Sequence, residues 1–200
     1  YTMSTCYHPF RNIAYVHTPR CAGTNISRTL ICNNDFIDAE KQKWYRNAYE
    51  PLLNVSNISE YTIIGVVRHP VTWLWSGYNF TYQYFELSFK EHLECILNPW
   101  FLLINHKIKY NLRAFNDWYW HSCILPDKHL PDNTKIFKFE KLNELEAYLD
   151  IKLYDKEQWK NNQHNTTISP PLPQLIDEEK KLIKQIAGEY AKKWNYEFNF

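Results

Sequence analysis

Short apolar runs alternate with longer mixed segments along this chain. The runs at residues 13–16 and 61–67 have the length and the β-branched and aromatic content of buried strands, and residues 135–139 form a third. Between and after them, apolar residues recur at helical spacing. The clearest case is the predicted last helix, about 177–194, whose apolar face consists of Leu182, Ile183, Ile186, Ala187, Tyr190 and Trp194. This alternation predicts an α/β fold with a central parallel sheet flanked by helices.

The remaining segments complete a one-domain organisation over residues 1–200, a usual length for a single domain. We expect an irregular lead-in over 1–12, a helix around 41–45 and a turn over 54–59. One or two helices are predicted over 70–97, and another over 141–149.

The first apolar run leads into the segment HTPRCAGTN at residues 17–25. We expect a turn containing Pro19, Arg20 and Gly23, and then a helix with Thr24 or Asn25 as its N-cap. A strand, a tight loop and a helix N-terminus together bind anions, because loop N–H groups and the helix dipole point at the same place. Arg20 adds a positive charge and several donors suited to phosphate or sulfate.

The second apolar run is followed by the segment RHPVTWLWSGY at residues 68–78. Arg68 stands at the carboxyl end of the predicted strand, where open α/β sheets place their ligands. Pro70 suits the first turn of the helix that follows. Ser76 lies about two turns into that helix, so we expect its hydroxyl to face the same crevice as Arg68.

Together these two segments resemble the sulfotransferases that use 3'-phosphoadenosine 5'-phosphosulfate, and most closely their carbohydrate (membrane-type) branch. Residues 17–25 look like the 5'-phosphosulfate loop, often written H-I-P-K-T-G/A-G-T-S. Residues 68–78 look like the 3'-phosphate motif R-N/D-P-V-x-R-x-x-S-x-Y. Weaker similarities follow at 136–142, which resembles a late strand ending in R-Y/F-E-D-L, and at 163–167. The resemblance extends from about residue 17 to 194.

The resemblance implies a P-loop-like sulfotransferase fold and transfer of a sulfuryl group from this donor to a hydroxyl, most often on a carbohydrate, without a metal. Arg20 would stabilise charge on the bridging oxygen, and Arg68 and Ser76 would hold the 3'-phosphate. The residues implied to bind the 5' end of the donor are Arg20, Cys21, Ala22, Gly23, Thr24 and Asn25. Arg20 replaces the usual Lys, Cys21 a small residue, and His69 an Asn or Asp.

The acceptor hydroxyl needs a general base, which in the family is a His or Glu that often lies between the two motifs. Asp38, Glu40 and Glu50 are the carboxylates in that interval, and Glu40 is our first choice. A solvated helix face is the competing interpretation for all three. His121 is the second candidate, against the alternative of a hydrogen-bonded, partly buried histidine. We expect His17 to pack against or orient the loop rather than to react.

Two other loop types fail on spacing. A Walker A loop requires a Lys after its last glycine, and none follows Gly23. A cysteine-phosphatase loop has five residues between its Cys and its Arg, whereas six separate Cys21 from Arg28. Two rivals stay open: a protein that binds nucleotide or glycan on the same fold without turnover, and a P-loop-like kinase.

The amino-acid composition limits the classes of binding partner and the cellular compartment that we expect for this protein. The formal net charge of +1 argues against a general nucleic-acid binder, which would carry a marked basic excess. No apolar run reaches the roughly 18 residues of a membrane span. Five cysteines without a C-x-x-C pair indicate reduced thiols, and we expect a cytoplasmic protein. The Golgi lumen is the alternative if an N-terminal anchor precedes Tyr1.

Overall fold

The computed structural model describes residues 5–39, 48–85, 87–98, 124–153 and 170–200. Within these ranges the strands are β1 (Cys6–His8), β2 (Ile13–Tyr15), β3 (Ile37–Asp38), β4 (Thr62–Val67) and β5 (Lys135–Lys138). The α-helices are α1 (Gly23–Asn33), α2 (Pro70–Phe85), α3 (Phe89–Leu97), α4 (Leu142–Leu149) and α5 (Asp177–Lys193). Short 3-10 turns occur at Glu50–Asn54, Ile58–Glu60, Pro126–His129 and Phe139–Lys141.

The chain divides into two compact units. The first, here called the sheet unit, comprises Tyr1–Arg68 and Pro126–Thr166, and it contains the five strands with α1 and α4. The second, the helical unit, comprises His69–Leu125 and Thr167–Phe200, and it contains α2, α3 and α5. The expectation that residues 1–200 form a single domain stays a prediction.

The sheet has the strand order β3-β1-β2-β4-β5. Strand β4 pairs in parallel with both β2 and β5, which confirms a parallel centre. Strand β1 pairs antiparallel with β2 and with β3, so the sheet as a whole is mixed. The irregular lead-in predicted for residues 1–12 is therefore wrong. Three residues are too few for a periodic signal, and β1 exists because a turn folds it back along β2.

The central strands are buried on both faces. Ala14, Val16 and Ile63 belong to one apolar cluster, together with Ala39, Ala48 and Leu52. Because successive side chains of a strand point to opposite faces, Tyr15 and Ile64 lie on the other face, and both are fully buried. Cover on both faces explains why these strands read as continuous apolar runs rather than as alternating patterns.

The helices follow their predicted positions closely. The segment 70–97 forms two helices, and α3 begins with a capping box in which Ser88 and Glu91 each accept the other's backbone N–H. Helix α4 begins one residue later than predicted, and α5 ends at Lys193. Four residues of α5 are buried, Ile183, Ala187, Tyr190 and Ala191. The helix predicted at 41–45 lies outside the described residues.

A buried histidine makes the stability of the helical unit depend on pH. His92 of α3 is buried beside the rings of Tyr78 and Phe89, and this burial lowers its pKa to about 3. The unfolded chain takes up a proton on this ring near pH 6.5, which the folded chain resists. The contribution of neutral His92 to the free energy of unfolding is therefore fully present above pH 6.5. It is lost as the pH falls toward 3, by up to about 1.4 kcal/mol per pH unit.

We expect the substitution His92→Leu to flatten this dependence. Urea unfolding at pH 7.5 and at pH 5, followed by tryptophan fluorescence, should show a smaller loss of unfolding free energy in the variant than in the wild type. Equal losses in the two proteins would show that His92 does not titrate on unfolding.

Candidate functional site

The loop between β2 and α1 is tightly turned. The N–H of Cys21 donates to the carbonyl oxygen of Thr18 at 3.3 Å, which closes a turn. Arg20 and Ala22 have left-handed backbones, with φ of 62° and 60°. For residues that carry a Cβ this conformation costs about 1 kcal/mol each, and such strain concentrates at ligand sites. Turns of this kind line up backbone N–H groups as anion-binding concavities.

Helix α1 begins at Gly23, with Ala22 as its N-cap. The prediction of Thr24 or Asn25 as the N-cap is therefore wrong: both lie inside the first turn. The left-handed backbone of Ala22 brings the chain into the helix before the first residue with capping chemistry is reached. Ala22 has no side-chain acceptor, and the first turn contains no acidic residue. The positive end of the helix dipole thus has no carboxylate of the first turn beside it and suits a bound anion.

The ring of His17 packs against the start of α1. A methyl group at Gly23 would overlap this ring, so a glycine is required for the close approach. His17 is buried, and its backbone N–H donates to Thr5 Oγ1 at 3.1 Å. The hydroxyl of Thr5 in turn donates to the carbonyl oxygen of Ala48 at 2.6 Å. This confirms the expectation that His17 packs against the loop.

Two hydrogen bonds join the loop to the carboxyl end of β4. Thr18 Oγ1 donates to the carbonyl oxygen of Val66 at 2.6 Å. Arg68 Nη1 donates to the carbonyl oxygen of Arg20 at 3.0 Å. The guanidinium of Arg68 also lies over the ring of Phe139, 4.2 Å from its centroid. The structure thus brings together Arg20, the loop and Arg68, which the sequence separates by 48 residues.

Sequence reasoning missed the roles of Thr18 and Phe139. For Phe139 a signal was present, because residues 136–142 resemble a late segment of the same family. Nothing in the sequence singles out the hydroxyl of Thr18, since its partner is a backbone carbonyl on another strand.

Two positive charges lie close together in this loop. Burial, and then the like charge of Arg68, lowers the pKa of Arg20 to about 10, so the guanidinium stays protonated at neutral pH. Like charges at short range repel, and an anion bound between them would reduce that repulsion. Two neighbouring guanidinium groups suit a phosphate or sulfate ligand, and the carboxylate of Glu140, which also acts on Cys21 of this loop, partly offsets their charge.

The buried position of Cys21 favours the interpretation of a packed thiol. Its side chain is fully buried, and that burial is the main reason that its pKa rises to about 12. A thiol that stays protonated at neutral pH neither attacks a substrate nor binds a metal as thiolate. Its N–H is already used in the turn to Thr18. Cys21 therefore contributes to the loop through its buried side chain and its backbone hydrogen bond. Its contact with a sulfate donor stays a prediction.

The other predicted site residues are distributed as follows. Thr24 is exposed and Asn25 is half-buried in the first turn of α1, while Ser76 is buried on α2 in the helical unit. Glu50 is half-buried and begins a 3-10 turn. Glu40 and His121 lie outside the described residues.

Asp38 is the base candidate that the topology places best. Strands β2 and β3 both run antiparallel to β1, so they point the same way. Cys6 of β1 pairs with Asp38 on one side and with Tyr15 on the other. Asp38 therefore lies at the carboxyl edge of the sheet with the loop, two strand spacings or about 10 Å from β2.

Comparisons with family models, curated proteins and solved structures found no match for this chain. In the part of the chain that the structure describes, no cluster of three or more His, Cys, Asp or Glu side chains could hold a metal ion. Among the same residues, no helix is long and apolar enough to cross a bilayer.

The close contact between His17 and Gly23 predicts opposite outcomes for one substitution at two glycines. Gly23→Ala forces the His17 ring to move, and we expect a loss of about 1–3 kcal/mol of unfolding free energy in urea titrations. Gly188→Ala in α5 is the matched control. Among the described residues, no atom outside the neighbouring backbone of α5 lies within 4 Å of its added methyl, so we expect no loss, or a gain of up to about 1 kcal/mol.

A double variant tests the cause of the loss at Gly23. Once His17→Ala removes the ring, the added methyl has room, so Gly23→Ala should cost less in that background than in the wild type. An equal cost in both backgrounds would contradict the proposed overlap.

Proposed function

We propose that this protein transfers a sulfuryl group from 3'-phosphoadenosine 5'-phosphosulfate to an acceptor hydroxyl of a carbohydrate, on a P-loop-like sulfotransferase fold. One observation carries the proposal. The two segments that resemble the family's phosphate motifs lie at the ends of adjacent parallel strands, and Arg68 Nη1 donates to the Arg20 carbonyl oxygen at 3.0 Å. Ligands of open α/β sheets bind at that edge.

The loop and the first turn of α1 supply what a phosphosulfate group needs. The helix begins without an acidic residue, and the left-handed residues before it shape an anion-binding turn. Thr24 is exposed and presents its hydroxyl from the first turn. In this proposal Arg20, Thr24 and Asn25 bind the 5' end of the donor, with Ala22 and Gly23 contributing backbone.

Arg68 is suited to hold the 3'-phosphate. Its guanidinium is oriented by the Phe139 ring below it and by the carbonyl of Arg20. A planar, permanently charged group fixed in this way needs little reordering when it pairs with a phosphate. Ser76 of α2 is the other residue of the resembled motif that we propose for this phosphate. A 3'-phosphate contact would also select this donor over ordinary adenine nucleotides.

The proposed transfer moves one group between two oxygens. The acceptor oxygen forms a bond to sulfur as the bond from sulfur to the bridging phosphate oxygen breaks, and 3'-phosphoadenosine 5'-phosphate leaves. The hydroxyl proton passes to a general base, for which the carboxylates of Asp38 and Glu40 are our first candidates and His121 is the second. Arg20 neutralises the negative charge that grows on the bridging oxygen.

The thiols favour a reducing compartment for this chemistry. Cys21 and Cys32 form no disulfide in the structure. Because disulfides are rare in the cytosol and common outside it, the cytoplasm is the compartment we propose.

Binding of 3'-phosphoadenosine 5'-phosphate, measured by calorimetry, tests the donor site. We expect micromolar binding by the wild type and binding about 10- to 100-fold weaker in Arg68→Ala, the usual loss for one hydrogen bond to a charged group. Arg11→Ala is the matched control, because Arg11 precedes β2 at the opposite edge and contacts the Leu149 carbonyl. Its affinity should not change. A correctly folded wild type that does not bind this nucleotide would overturn the proposal.

A labelled donor then separates transfer from binding alone. Transfer of label to a carbohydrate hydroxyl by the wild type supports the enzyme. Binding without transfer, with transfer gained in Arg20→Lys, would instead show a protein that binds the nucleotide and has lost the turnover of the family.

A further inference from the structure

His69 stands where the resembled motif has Asn or Asp, and it opens helix α2. Its carbonyl oxygen accepts the N–H of Trp73 at 2.9 Å, which is the first bond of the helical ladder. The same oxygen accepts the hydroxyl of Thr72 at 3.0 Å. His69 is thus the N-cap residue of α2, directly before Pro70. An Asn or Asp at such a position caps the helix with its own short side chain.

The ring of His69 is held by the segment that follows α5. Its Nε2 lies 2.9 Å from the carbonyl oxygen of Glu197, to which the ring N–H donates. The ring also meets the ring of Tyr196 edge to face, with centroids 5.2 Å apart. Both contacts lie within the helical unit. The side chain at this N-cap therefore contacts residues 195–200, here called the C-terminal segment, instead of capping the helix.

The C-terminal segment is itself fixed to α5. The N–H of Tyr196 donates to the carbonyl oxygen of Ala191 at 2.8 Å, and Asn195 takes a left-handed backbone to make the turn. The Tyr196 ring stacks on the ring of Tyr190, which is buried in α5. Tyr196 therefore joins two elements: α5 behind it and the start of α2 in front.

We propose that the C-terminal segment positions the part of the 3'-phosphate motif that lies in the helical unit, residues 69–78, with His69 and Tyr196 as its positioning residues. By holding the N-cap of α2, it fixes the first turn of the helix that carries Ser76, within the helical unit. This inference rests on the proposed function, and it concerns selectivity for a nucleotide that carries a 3'-phosphate.

Two nucleotides and two variants test the inference. Tyr196→Ala should weaken binding of 3'-phosphoadenosine 5'-phosphate by about 3- to 10-fold, the usual effect of one aromatic pair. Adenosine 5'-phosphate lacks the 3'-phosphate, so its affinity should not change. Phe200→Ala is the matched control, since Phe200 lies in the same segment and contacts Phe198 and Lys184. It should leave both affinities unchanged.

A rescue experiment separates positioning from a general loss of packing. In the Tyr196→Ala background, His69→Asn restores a side chain that caps α2 without the C-terminal segment. We expect it to recover the affinity for the 3'-phosphorylated nucleotide. His69→Phe keeps an aromatic ring and removes the ring N–H donor, so it should weaken binding of that nucleotide alone. This variant replaces Tyr196→Ala in the test if Tyr196→Ala does not fold.

The outcomes distinguish this inference from the function beneath it. If the wild type binds neither nucleotide, the proposed function fails and the inference fails with it. If the wild type binds the 3'-phosphorylated nucleotide and Tyr196→Ala binds it equally well, the inference alone is wrong. Equal weakening of both nucleotides would show a merely structural role and would also overturn it.

Discussion

The parallel pairing of β2 with β4 is the constraint on which the candidate site depends. It aligns Tyr15 with Ile64, so both strands end at the same edge of the sheet. From there the Thr18 hydroxyl reaches the Val66 carbonyl, and Arg68 reaches the carbonyl of Arg20. Without this register the two basic residues would remain 48 positions apart in the chain. A slip by one residue would exchange the side chains of the two faces, so the register also decides which side chains pack in the cluster of Ala14, Val16 and Ile63.

The elements that could be predicted are those whose sequence pattern lies within the element itself. Long apolar runs and helical stripes are local patterns, and β4, β5, α2, α3, α4 and α5 all appeared near their predicted positions. Strand β1 was missed because its three residues become a strand only through pairing with β2. The N-cap of α1 was misplaced for a similar reason. The helix begins after a left-handed Ala22, a conformation that the propensity of alanine does not predict.

The same distinction applies to the site. Arg20 and Arg68 were found from sequence because each follows a strand and belongs to a recognisable segment. Their mutual contact could be inferred from strand order, but the stacking of Arg68 on Phe139 could not, because it depends on where β5 ends. Asp38, in contrast, became the better-placed base candidate only once the structure was known. Its place at the carboxyl edge follows only from two antiparallel pairings that the sequence did not predict.

The substitutions relative to the resembled motifs have physical consequences that differ in kind. At position 21 a thiol is fully buried, and that burial raises its pKa to about 12. At position 20 a guanidinium keeps the charge of a lysine but spreads it over a plane, which suits binding an anion better than following one moving oxygen. At position 69 a ring replaces a short capping side chain and takes its partner from the C-terminal segment. The first change adds a buried side chain, the second changes how the positive charge is distributed, and the third makes the start of α2 depend on residues more than 120 positions away.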